Sequence, residues 1–257
     1  MDPVIYTPRL KLTLVETAER GSQEFAWLHK LRSDKDATWS SISGRSKTPE
    51  DTEKHLLRVL PQPSDPQKRY RINYAVHELL PSHPSHPSTA GTAEAPESRE
   101  TAENDEKVGQ TTNFIGLISL RSLDADHLVL PASLVPASTS SPSTLTLEIA
   151  YSFLPAAWNH GYATESVTAL FAACETPRAT AAAQAFWSPW EKVYVRAVVA
   201  EVNAGSLRVM EKTGMQRRGV YEWRAASEGE KVWVRGALVG EDRLVIWGRE
   251  LCVVVGV

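Results

Sequence analysis

Two consecutive strand-to-helix junctions constrain this chain more than any other feature. In the first, Leu145, Leu147, Ile149 and Tyr151 alternate with Thr146, Glu148 and Ala150, the period of a strand. The loop Trp158-Asn159-His160-Gly161-Tyr162-Ala163-Thr164-Glu165 follows. Val167, Leu170, Phe171 and Cys174 then recur at i, i+3, i+4 and i+7, an amphipathic helix. In the second, the β-branched run Val193–Val199 reads as a central strand. Asn203-Ala204-Gly205-Ser206 opens a helix that Lys212-Thr213-Gly214 ends, with Gly214 past its C-terminus. A strand that stops at small residues and a helix start turns free backbone N–H groups outward, which suits a diphosphate. Gly161 and Ala163 would let a phosphate reach the backbone without a clashing side chain.

The remaining pieces fit one α/β (α+β) domain. Arg9–Leu14 alternates as a strand, and Phe25, Leu28 and Leu31 sit at helical spacing. Thr48-Pro49-Glu50-Asp51 predicts an N-cap, a proline in the first turn and acids near the positive helix end. Tyr70–Leu79 and Asn113–Arg121 predict a hairpin, and two last strands are expected near Lys231–Val239 and Arg243–Val255.

Length alone leaves the domain count open, since 257 residues exceed one modal domain. Proline placement resolves it. Seven of the 16 prolines lie between Pro61 and Pro96, and residues 81–112 hold almost no large apolar side chain to offset their ordering entropy. They are expected to form a disordered Pro/Ser-rich insertion in the hairpin. Residues 124–143 are expected to form a long loop, and Thr176–Trp190 a third interruption. The whole of 1–257 thus reads as a single domain with enlarged loops.

Composition excludes several functions. Lys+Arg at 28 against Asp+Glu at 31 gives a net charge of −3, with no nucleic-acid footprint. Cys174 and Cys252 form neither a disulfide framework nor a metal-ligand spacing, so no metal is expected. No run approaches a membrane span and no basic-then-apolar leader is visible, which predicts a cytoplasmic protein without a membrane partner.

Several motifs resemble the GCN5-related N-acetyltransferase (GNAT) family, and within it the RimJ/RimL-type branch. These are Thr7-Pro8-Arg9-Leu10, Phe114-Ile115-Gly116, Glu148-Ile149-Ala150-Tyr151, Trp158 to Glu165, and Asn203 to Ser206 with Glu211-Lys212-Thr213-Gly214-Met215. The resemblance implies a mixed, largely antiparallel sheet flanked by helices, whose two central parallel strands splay apart. It also implies acetyl-CoA as donor, bound at Ile149, Ala150, Tyr151, His160, Gly161, Tyr162, Ala163, Thr164, Asn203 and Ser206. The acceptor would be an amine-bearing small molecule or a peptide or protein N-terminus. The sequence leaves the oligomeric state open between monomer and homodimer. Many members carry a Tyr seven residues after the Asn as acid toward the thiolate; here that place is Met210. Ser206 is then the nearest substitute.

The chemistry requires a neutral amine, a stabilised oxyanion and a leaving thiolate. A thiol near pKa 8.5 (roughly) leaves readily, so a base matters more than an acid. Glu148, on the face opposite Leu147 and Ile149, is the candidate base. The alternative is a non-catalytic acetyltransferase-fold protein that binds acyl-CoA or a partner. Trp39, Trp223 and Trp233 are candidate walls of an acceptor pocket.

Overall fold

The computed structural model describes residues 1–62, 65, 70–81, 111–123, 127–175 and 185–252. Its main sheet has eight strands: β1 (Val4–Tyr6), β2 (Leu10–Leu14), β3 (Arg71–Leu79), β4 (Thr112–Ser122), β5 (Thr144–Phe153), β6 (Lys192–Ala200), β7 (Gln216–Arg224) and β10 (Glu241–Leu251). They lie in the order β1-β2-β3-β4-β5-β6-β10-β7. Every pairing is antiparallel except β5 with β6. The short strands β8 (Val232–Val234) and β9 (Ala237–Val239) form a separate hairpin.

Among the described residues, four helices flank the sheet: α1 (Gln23–Ser33), α2 (Pro49–Val59), α3 (Tyr162–Glu175) and α4 (Ala204–Lys212). The caps follow the sequence. Ser22 accepts the Phe25 N–H at the start of α1, and Thr48 and Asp51 form a reciprocal capping box on α2. The larger core lies between the sheet and α3, where Val167, Leu170, Phe171 and Cys174 are all buried as their spacing predicts. A smaller core gathers Phe25, Leu28, Leu31, Leu56 and Val59 of α1 and α2 over Ala75 and Phe114.

Three expectations change. Residues 231–239 form the detached hairpin β8–β9 rather than a strand of the main sheet. The sheet gains β7, whose sequence Gln-Arg-Arg-Gly-Val-Tyr-Glu-Trp-Arg hides its strand character because it is an edge strand with no fully buried residue. The stretch ending in Phe186-Trp187-Ser188-Pro189-Trp190 reads as an interruption, yet Trp187 is buried and stacks on Tyr70. Of the expected insertion, 82–110 lies outside the described residues, as do 124–126, 176–184 and 253–257. Leu79 pairs with Thr112, so β3 and β4 do form the hairpin that brackets it. Among the described residues, no helix is long and apolar enough to cross a membrane.

Two glycines allow close packing on either side of the β5–β6 pair. A Cβ at Gly116 would lie 2.5 Å from the Ser152 carbonyl oxygen and 2.6 Å from the Phe153 ring. The glycine therefore lets the end of β5 lean onto β4. On the other side, a Cβ at Gly248 would overlap the Tyr194 ring, so β10 needs glycine there to sit beside β6. Gly116→Ala is expected to lower stability by about 1–3 kcal/mol through overpacking. Chemical denaturation measures this, and a loss below about 0.5 kcal/mol would show that the contact yields freely.

His77 is 3% exposed, its ring edge-on to Trp27 at 4.4 Å. Burial pushes its imidazole down to about 4. The folded state then binds fewer protons than the unfolded chain, whose His titrates near roughly 6.5. Stability should be unaffected by this group above that pH and fall by up to about 3 kcal/mol as pH drops toward 4. His77→Phe should remove that part of the acid sensitivity. An unchanged slope of unfolding free energy against pH would contradict the assignment.

Candidate active site

Pairing between β5 and β6 runs from Thr144–Lys192 to Glu148–Arg196 and stops there. Beyond that register β5 continues against β4 to Phe153, and β6 continues against β10 to Ala200. The strands enclose a wedge. Ile149, Ala150 and Tyr151, expected to meet the donor, lie on its β5 edge immediately past the last paired residue.

A row of charge crosses the sheet at the apex. Arg71 pairs with Arg121, Arg121 with Glu148, and Glu148 with Arg196, so four neighbouring strands place charged side chains on one face. Arg196 is 3% exposed and holds Glu148 with Nε at 3.0 Å and Nη2 at 2.9 Å from Oε2. Arg121 Nη2 stands 3.8 Å from Oε1. Arg71 donates to the Arg58 carbonyl of α2, which places the row on the α1/α2 side. The sequence singled out Glu148 but not its arginines, because nothing in one strand shows what a neighbouring strand sets beside it.

The loop from Trp158 to Gly161 uses left-handed backbone at Asn159 (φ 64°) and Gly161 (φ 82°) to turn into α3. Glu165 N–H bonds to Gly161 O, the first rung of the helix. Among the described residues, no side chain caps this end and no carbonyl takes the N–H groups of residues 161–164. They are free donors at a positive helix end. An open, side-chain-free cradle of this kind fits a pyrophosphate.

Arg9 fixes the loop from outside. Its guanidinium donates to the His160 carbonyl at 3.0 Å, bonds Glu165 at 2.6–2.8 Å and lies 4.8 Å over the Tyr162 ring. Tyr162 in turn donates to Glu78, and His160 stacks on Tyr162. The sequence treated Thr7-Pro8-Arg9-Leu10 and Ala163-Thr164-Glu165 as separate motifs; the fold joins them.

On the opposite wall, Asn203 caps α4 by accepting the Ser206 N–H at 3.1 Å through Oδ1. That leaves the Asn203 amide NH₂ for another acceptor. The Tyr151 hydroxyl reaches the Ser206 carbonyl at 3.4 Å, and burial pushes the phenol up to about 12. It stays protonated at neutral pH and can donate. Tyr151 entered the sequence reading only through its strand, and its hydroxyl emerges once α4 is placed. Met210 is fully buried in the main core and does not reach the wedge as an acid. The α1–α2 loop roofs the other side: Ser152 Oγ donates to Ala37 O, and Arg235 N–H of the β8–β9 hairpin donates to Trp39 O, both at 2.7 Å. Trp39 and Trp233 are both exposed near this roof. Among the described residues, no cluster of potential metal ligands forms.

Residues 11–216 match the sequence profile of the acetyltransferase (GNAT) domain. The chain belongs to the GNAT acetyltransferase family. Solved structures similar in fold include the ribosomal-protein-S5-alanine acetyltransferase from Vibrio fischeri, at 12% identity, 97% coverage of both chains and a TM-score of 0.52. A GNAT-family acetyltransferase from Bacillus anthracis matches at 17% identity over 96% of this chain and 97% of that one, with a TM-score of 0.49. Spermidine N-acetyltransferase from Vibrio cholerae, solved with CoA and spermine, matches at 12% identity over 95% and 98%, with a TM-score of 0.44. No curated protein sequence matches this chain. At this identity the Vibrio fischeri likeness is one of fold.

Removing Arg196 would leave the Glu148 carboxylate at the wedge apex without its close partner. Arg196→Ala is expected to destabilise the GNAT domain by on the order of 3 kcal/mol. Glu148→Gln in the same chain should recover part of that loss. Denaturation of the two single variants and the double variant checks it, and strictly additive effects would mean the pair carries no coupling.

Proposed function

We propose that this chain is an acetyl-CoA-dependent N-acetyltransferase of the RimJ/RimL type, acting in the cytoplasm on a primary amine. The acceptor is a small-molecule amine or a protein N-terminus. The observation that carries the reading is the wedge opening at Glu148–Arg196 beside an uncapped helix start. The pairing of Arg9 with Glu165 supports the branch, because it ties together two of the motifs that carry that resemblance.

Acetyl-CoA supplies the thioester as the donor substrate. The N–H groups of residues 161–164 hold its pyrophosphate, with His160 beside them and Arg9 fixing the loop. Asn203 offers its amide NH₂ to the pantetheine arm, and the free edge Ile149–Tyr151 pairs with that arm as a strand would. Glu148 takes a proton from the acceptor ammonium, directly or through water, while Arg196 and Arg121 fix its orientation. A strand N–H past Glu148 meets the developing oxyanion. Ser206 and the protonated Tyr151 phenol are the donors on the thiol side, with Met210 turned into the core.

Calorimetry with acetyl-CoA and thiol release against a panel of amines test this. Glu148→Gln should bind acetyl-CoA within about twofold of the parent and lower kcat by about 10²-fold or more. Unchanged kcat would reduce Glu148 to a structural partner of Arg196. Binding without turnover on any amine would favour a non-catalytic acyl-CoA-binding protein, and absence of binding would contradict both.

A further inference from the structure

A cavity of about 400 Å³ opens between the end of α1, the α1–α2 loop and α2. Arg32, Arg45, Lys47, Lys54 and Arg58 line it together with His55, against one carboxylate, Asp51. That carboxylate is already committed, accepting the Lys47 and Thr48 N–H groups in the helix cap. A chain with a net charge of −3 thus concentrates cations in one concave place.

The cavity is built rather than merely decorated. Arg32 is held from the inside, donating to Ser41 Oγ at 3.1 Å and to the Gly44 carbonyl, and its Nε is buried with no partner. The Ser46 N–H bonds back to the Arg32 carbonyl at 2.9 Å and fixes the loop that carries Arg45 and Lys47. Burial, then the positive charges of Arg32, Arg121 and Arg58, drive the His55 imidazole down to about 3. The cavity floor therefore sits in a positive field. The volume suits a small ligand rather than a macromolecular surface. Guanidinium forks flanked by ammonium groups match phosphate oxygens, with Arg giving direction and Lys giving point charge.

We infer that this cavity is a binding site for a small phosphate-bearing polyanion, separate from the wedge and from the α3 N-terminus. The ligand is of the di- or triphosphate class. Arg32 fixes it from below, and Arg45, Lys47 and Lys54 close on it from the rim.

Calorimetry of the full chain with inorganic tripolyphosphate, at low ionic strength and with or without saturating CoA, tests this. One equivalent is expected to bind whether or not CoA is present. Arg45→Ala/Lys54→Ala, at two exposed positions, should weaken it tenfold or more without changing the thermal midpoint. If that variant loses its fold, Lys47→Ala/Lys54→Ala takes its place with the same expectation. Titration with citrate should give binding at least tenfold weaker. Tripolyphosphate binding that CoA abolishes would assign it to the α3 amides and overturn the inference. Unchanged affinity in the variant, no binding at all, or citrate binding as tightly would overturn it too.

Discussion

The hydrogen-bonded pairing of β5 with β6 ends at Glu148 and Arg196, and the site depends on that ending. A parallel pair inside a sheet is ordinarily continuous, because an unpaired buried backbone group is costly. Here each strand keeps its outer partner, β4 on one side and β10 on the other, and gives up the inner one. Gly116 lets the end of β5 pack closely on β4. The Arg196–Glu148 pair closes the apex with charge where the backbone ladder stops.

That geometry separates two faces. Ile149, Tyr151 and Phe153 look toward α3 and α4, where the free amides of α3 and the Asn203 cap lie. Glu148, Ala150 and Ser152 look toward α1 and α2, where Ser152 is tied to the loop at Ala37. The period of two in a strand is enough to give one segment a donor side and an acceptor side. In the proposed reaction the thioester would be held from one face while the amine approaches from the other. Glu148 stands at the boundary.

Much of this was legible in the chain because it is local. Caps at Thr48 and Asn203, the stop at Gly214 and the buried stripe of α3 each follow from spacing within a dozen residues. The features that stayed hidden are relations between distant segments. Arg71, Arg121 and Arg196 are unremarkable in their own strands and become one row only through register. Arg9 meets Glu165 across more than 150 residues of chain. β7 was missed because an edge strand buries too little to show an alternating pattern, and the Trp187 segment because its core partner, Tyr70, is remote in sequence.

Amide hydrogen exchange on the full chain, with and without acetyl-CoA, tests the central claim most directly. If the wedge and the α3 start form the donor site, added acetyl-CoA should slow exchange at residues 149–151 and 161–164 and leave β1, β2 and β7 unchanged. Protection confined to other segments, or none under saturating acetyl-CoA, would contradict the account.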